Sequence, residues 1–183
     1  MTRDEALASV RANVENRNLV NHMLATEAIM RALARRFGEN EDEWGLAGLL
    51  HDIDVELTQE DPDNHGKLGA DLAGELGASN RICHAIMCHN VIHGVECENA
   101  LDRGLRCADP LTGLITACVL VRPDRKLESL SEASVMKRYK EKRFAAGADR
   151  EQIAGCAEIG LTLGEFVALG VESMKEIAPE LGM

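Results

Sequence analysis

Aromatic side chains are scarce in this sequence. Its 183 residues hold one tryptophan, one tyrosine and three phenylalanines: Trp44, Tyr139, Phe37, Phe144 and Phe166. Proline is rare too, with four, and alternating runs of β-branched residues are few, which argues against a sandwich or a barrel. The longest apolar stretch, Leu114 to Val121, is too short to span a bilayer and is interrupted by Thr116. Met1 to Glu5 is charged and lacks an apolar stretch, so no signal peptide is expected and the default location is cytoplasmic. No C-x-x-C pair occurs among the six cysteines (Cys83, Cys88, Cys97, Cys107, Cys118 and Cys156), so neither a zinc ribbon nor a thioredoxin-type motif has support. They are expected as reduced thiols packed as small hydrophobes. Positive charge is in deficit: 20 Lys and Arg face 31 Asp and Glu, a net charge of −11. That balance argues against general binding to nucleic acid or to an anionic membrane.

Alanine and leucine are what the chain has in quantity, 23 and 22 residues. Both lose little rotamer freedom in a helix, and apolar residues recur at helical spacing. Leu19, Met23, Met30, Leu33 and Phe37 form one stripe that stops at Gly38. A further helix is expected from about Glu41 to Asp52, and the polar segment Glu56 to Asn64 reads as a loop. Asn64 is placed to cap a helix reaching Glu75, and Ser79 to cap the next. A helical stretch from about Ala100 to Val121 is expected to kink or restart at Pro110, which has no backbone donor. Three capping-box patterns mark the last helices: Ser129 with Glu132, Asp149 with Gln152, and Thr162 with Glu165.

The chemistry concentrates in histidine and aspartate. Five of the six histidines fall between His51 and His93. An apolar helix end, Ala47-Gly48-Leu49-Leu50, delivers the adjacent pair His51-Asp52. A buried ionised aspartate is costly unless it is paired or bound to metal. His22 sits on the apolar stripe above, His65 opens the segment Asn64-His65-Gly66, His89 shares a face with Ile82 and Ile86, and Asp109 interrupts an apolar helix. Taken singly, each of these is a capping or core residue; together they are imidazoles and carboxylates spread over several helices, from which bundles build metal sites. Mixed nitrogen and oxygen donors suit Fe, Mn, Zn, Co or Ni better than Ca or Mg.

The order His22, His51-Asp52, His65, His89, Asp109, with Leu49-Leu50 before the pair, resembles the HD-domain superfamily of metal-dependent phosphohydrolases. The strings Asp109-Pro-Leu-Thr-Gly-Leu-Ile-Thr-Ala and Ser134-Val-Met-Lys-Arg-Tyr-Lys extend the likeness to a group of HD hydrolases without an assigned substrate. The resemblance implies an all-α fold, a single-domain helical bundle over residues 1–183 with a ligand-bearing core at about 18–125 and C-terminal helices at about 129–181. It implies one or two divalent transition-metal ions between the helices. His22, His51, Asp52 and Asp109 would hold one, and His65 and His89 would complete a second site with Asp52 as the bridge.

Two further groups of residues are candidates. Asp54 and Glu56 follow the His-Asp pair and are expected, with Asp52, to serve catalysis, by orienting a ligand histidine or relaying a proton. The segment Arg122 to Arg143 holds eight basic residues against four acids, so it carries +4 where the rest of the chain carries −15. Lys137, Arg138 and Lys140 in it are expected to bind substrate phosphate, and His93 to face the substrate as a proton donor. The expected function is hydrolysis of a small phosphorylated metabolite, plausibly a nucleotide, with hydroxide generated at the metal as the attacking group. The alternatives are a di-iron oxygenase of the same fold and a non-catalytic, nucleotide-binding regulatory module. The partners expected are a small phosphorylated substrate, no general nucleic acid, no membrane, and a second copy of the chain as a possible oligomer.

Overall fold

The computed structural model describes residues 1–183, and they fold into helices without a strand. Ten α-helices follow one another: α1 (Arg3–Asn13), α2 (Arg17–Phe37), α3 (Glu41–Leu50), α4 (Lys67–Glu75), α5 (Asn80–His89), α6 (Ala100–Leu120), α7 (Glu132–Tyr139), α8 (Arg150–Ala154), α9 (Leu163–Glu176) and α10 (Ala178–Leu181). No single helix is long and apolar enough to cross a membrane.

Helices α2 and α3 form a close hairpin, and the reason is Gly48. A Cβ there would stand 2.9 Å from the backbone of Glu27, so only glycine lets the two helix backbones approach this far. The approach sets His51, at the end of α3, beside His22 of α2. Helix α2 is capped by Asn16, whose side chain accepts the N–H of Asn18, and it ends at Gly38 with φ 70°. Trp44, fully buried, packs at the tilted face of Phe37.

Helix α6 is the central post, packed against α2, α5, α7, α8 and α9. It continues as one helix through Pro110, so the chain does not restart there. Proline inside a helix costs about 3 kcal/mol or more. Leu101, Leu105, Leu111, Leu114, Ile115 and Val119 of the same helix are fully buried, and each such side chain contributes about 1.5–3 kcal/mol. Burial therefore outweighs the lost bond.

Two capping expectations are corrected. Helix α4 starts at Lys67 with Gly66 (φ 87°) as its cap, and Asn64 lies in a short 3₁₀ turn, Pro62–Asn64. Helix α7 is capped by Ser131, because the Ser129 hydroxyl is turned to the Asp124 carboxylate. Ser79, Asp149 and Thr162 cap as expected, and the Thr162–Glu165 pair makes the full reciprocal box.

Candidate metal centre

Four imidazoles and two carboxylates converge between α2, α3, α5, α6 and the turn before α4. Asp52 is at the middle. Its Oδ2 lies 3.6 Å from His22 Nε2 and 3.4 Å from His51 Nε2. Its Oδ1 lies 3.4 Å from both His65 Nε2 and His89 Nε2. The two triads, His22–His51–Asp52 and Asp52–His65–His89, each bring their ligand atoms within 4.8 Å of one another. Asp109 stands at the open edge of the first, with Oδ1 3.1 Å from His22 Nε2 and 3.9 Å from His51 Nε2. Pro110 therefore leaves Asp109 facing the cluster.

Each of the four clustered histidines is held from behind by its Nδ1. His51 Nδ1 bonds the Gly48 carbonyl at 2.8 Å, and His89 Nδ1 bonds the Ile86 carbonyl. His65 Nδ1 bonds Asp54 Oδ1 at 2.9 Å. The Thr112 hydroxyl donates to the Asp109 carbonyl at 2.7 Å, which leaves its oxygen to accept His22 Nδ1–H at 2.8 Å. Four oxygen acceptors thus fix the Nδ1–H tautomer and turn four Nε2 lone pairs inward. His22 Nε2 and His51 Nε2 face each other at 3.2 Å. Two acceptor nitrogens at that distance repel unless a positive charge lies between them. Ligands bonded at about 2.1 Å to one ion stand about 3.0–3.4 Å apart, close to the separations here. The donor set fits a divalent transition metal, and the oxygen behind each ring is the support that metal-binding histidines use.

Against burial, the facing carboxylates raise His22, His65 and His89 toward the protonated form, and only His51 is lowered. Burial, the largest influence on Asp52, opposes its charge, but the imidazoles of His51, His65, His89 and His22 outweigh it and hold the carboxyl well below the usual range. Burial pushes His51 down, toward the neutral form that binds metal. His65 is raised to about 10 by its hydrogen bonds to Asp52 and then Asp54, against burial.

Asp54 has a different place from Asp52. It is fully buried and accepts three bonds: from Gly66 N–H (2.7 Å), Gly69 N–H (2.8 Å) and His65. A Cβ at Gly69 would stand 3.1 Å from this carboxylate. Asp54 therefore holds the His65 ring by its Nδ1. Glu56 does not reach the cluster: its oxygens accept the N–H groups of Glu15 (2.8 Å) and Asn16 (2.9 Å), fastening the start of α2. His93 is likewise engaged elsewhere, its Nε2 at 2.6 Å from the His65 carbonyl, which also accepts a bond from Asn90.

The expected phosphate-binding residues do not form one site. Lys137 and Arg138 line a cavity of about 310 Å³ with Arg122 and Ser134, and Arg138 is paired to Glu141 at 2.6 Å. Lys140 lines a different cavity, of about 610 Å³, with Lys142, Gly147 and Ala148. Gly147 and Ala148 also bound a cavity of about 340 Å³ at His22 and Asp109. On the other side of His22 a cavity of about 410 Å³ runs between α2, α6 and α10, lined by Asn18, Asn21, Thr116 and Leu181. Residues the sequence did not single out, Thr112, Asn90 and the carbonyls of Gly48 and Ile86, complete the support of the cluster.

Comparison with known proteins places this geometry. The HD domain family model matches residues 19–151. Ribonuclease Y of Sulfurovum sp. (strain NBC37-1) is 29% identical over 164 residues, 87% of this chain and 32% of that protein. Ribonuclease Y of Thermotoga petrophila is 30% identical over 144 residues, 73% of this chain and 27% of that protein. Ribonuclease Y of Pelobacter propionicus is 37% identical over 97 residues, 52% of this chain and 18% of that protein. The chain thus spans less than a third of the length of these relatives. No solved structure matches it. The relatives named as ribonucleases overturn the expectation of a small phosphorylated partner, and with it the exclusion of general nucleic-acid binding drawn from the net charge of −11. A matched model over most of the chain, with the family's histidines and aspartates gathered in one cluster, means that this protein belongs to the HD domain family of metal-dependent phosphohydrolases.

Proposed function

We propose that the protein hydrolyses phosphodiester bonds in single-stranded RNA, with His22, His51, Asp52 and Asp109 holding one divalent metal and His65 and His89 joining Asp52 around a second. The observation that carries this reading is the pair of cavities that meet at His22, one toward α10 and one toward Ala148. A phosphomonoester has one organic substituent and needs room on one side of the phosphorus. A diester has two, and the cluster has space on both sides. The ribonuclease relatives favour a ribose on each side.

When bound, a divalent ion from the Mn-to-Zn series or Fe supplies Lewis acidity, which acidifies water and offsets phosphoryl charge. The chain's own part is orientation. Gly48, Ile86, Thr112 and Asp54 fix the four rings, so the ligand set is preorganised and no rotamer is spent on binding. Asn21 and Thr116 offer polar groups to a nucleoside in the α2–α6 cavity. Lys140 and Lys142, exposed and without ion pairs, lie past Gly147 and Ala148 and would each take one of the next phosphates of the strand.

The test is a comparison of substrates on metal-reconstituted protein: a short labelled oligoribonucleotide, bis(p-nitrophenyl) phosphate and p-nitrophenyl phosphate. The expected order of kcat/KM is oligoribonucleotide, then diester, then monoester. A monoester turned over faster than both diesters refutes the proposal, and oxygen-dependent turnover of an organic substrate would favour the oxygenase chemistry found on this fold.

A further inference from the structure

Cys88, the residue before His89 at the C-terminal end of α5, meets Cys97 of the following loop. Their Sγ atoms are 2.8 Å apart, the only thiol pair of the six cysteines in mutual contact. A disulfide spans about 2.05 Å, so bond formation needs less than an ångström of closure. Arg106 of α6 frames the pair. Its guanidinium donates to the Cys88 carbonyl (2.7 Å), the Cys88 sulfur (3.1 Å) and the Val95 carbonyl (2.9 Å). Arg103 donates to the Cys97 carbonyl at 2.8 Å. Two arginines thus hold both ends of the residue 88–97 loop in register and set positive charge next to sulfur, the environment of exchange-active thiols. Cys88 is buried, whereas Cys97 is partly exposed. The bond from Cys88, and then Arg106 against the opposing effect of burial, keeps the Cys97 thiol below its usual range.

We propose that Cys88 and Cys97 are a reversible modification site that forms an intramolecular disulfide by exchange with a low-molecular-weight disulfide such as glutathione disulfide. The Cys97 thiolate attacks one sulfur of the external disulfide, whose S–S bond breaks and releases one small thiolate. Cys88, losing its proton, then attacks the Cys97 sulfur and displaces the second. Two electrons pass from the protein dithiol to the external disulfide, and two small thiols leave. The closed loop contains Asn90 and His93, both bonded to the His65 carbonyl, so the link pins the segment that backs a ligand of the second triad.

The experiment uses the full chain under native conditions in glutathione redox buffers, quenched with acid and alkylated after denaturation. Two of the six thiols should become protected, the mass should fall by about 2 Da, and peptide mapping should join Cys88 to Cys97. The oxidised protein should melt about 5–10 °C higher than the reduced one, since a nine-residue spacing is closed in the unfolded chain. Cys97→Ser should abolish the protection and the Tm difference while metal content stays at the wild-type level. Six free thiols in the most oxidising buffer, a link to any other cysteine, or a stable glutathione adduct on Cys97 would each overturn the proposal.

Discussion

Replacing Asp54 by asparagine tests whether the oxygen behind His65 governs the second triad. In the native protein Asp54 Oδ2 accepts both glycine N–H groups and Oδ1 accepts His65 Nδ1–H. Asparagine has one oxygen. Kept on the two N–H groups, it puts an amide donor against the ring N–H. The imidazole escapes this clash by moving its proton to Nε2, where it accepts from the amide through Nδ1 and no longer offers a lone pair to metal. Loss of such a supporting group typically weakens metal binding 10- to 100-fold, about 1.4–2.7 kcal/mol. The fold should lose about 1.5–3 kcal/mol as well, the worth of a bond to a charged group, because Asp54 is fully buried. Competition titration against a chelator, with elemental analysis, reads the effect: one metal should weaken 10- to 100-fold and the ion at His22, His51 and Asp109 should not. A folded Asp54→Asn protein with both affinities within twofold of wild type refutes the reasoning.

Removing His65 and His89 together should lower saturating metal from about two ions per chain to about one, since Asp52 bridges the triads; an unchanged stoichiometry means that the two histidines hold no ion. Chelated protein should lose stability as the pH rises. His65 is raised to about 10, so its contribution is complete below the unfolded value of about 6.5 and vanishes as the pH passes about 10; a flat Tm across that window would contradict the pairing with Asp52 and Asp54. Oligoribonucleotide binding should weaken with salt, with a log–log slope of about −0.7 for each phosphate neutralised and about −1.4 for Lys140 and Lys142 together. The double alanine variant should lose that slope, and an unchanged slope removes both lysines from the RNA track.

Among the six clustered residues, His22, His89 and Asp109 stood out in sequence as polar residues set into apolar helical patterns, and such residues need a partner where they are buried. Their order along the chain carried the rest. What stayed hidden is held by backbone or by distance. The carbonyls of Gly48 and Ile86 fix two rings, and no side-chain pattern records a carbonyl. Glu56 sits four residues from Asp52 in sequence, yet its partners are 40 and 41 residues away. Helix α4 is capped by Gly66 instead of Asn64 because Asp54, twelve residues earlier, takes the Gly66 N–H and draws the chain into a positive φ. Cys88 and Cys97 lack the C-x-x-C spacing, and only the turn after α5 brings their sulfurs together. Pro110 does not restart the helix for the opposite reason: a local penalty is outweighed by tertiary burial spread along all of α6.

Net charge misled in the same way, and the physics shows why. A total of −11 is a sum over the whole surface, but at physiological salt the field of an exposed charge fades over about 8 Å. Acids farther than that from a phosphate at His22 would therefore exert little force on it. What that phosphate meets is the cluster itself, where Asp52 and Asp109 face four imidazoles, and any divalent ion bound there adds two positive charges. Lys140 and Lys142 then lie on the one side that continues away from the cluster past Ala148. An acidic protein can process a polyanion if its positive charge is confined to the track, and its negative surface elsewhere disfavours binding of the strand away from the metal. Overall acidity and a ribonucleotide substrate are then compatible, with the acidity limiting where the strand binds.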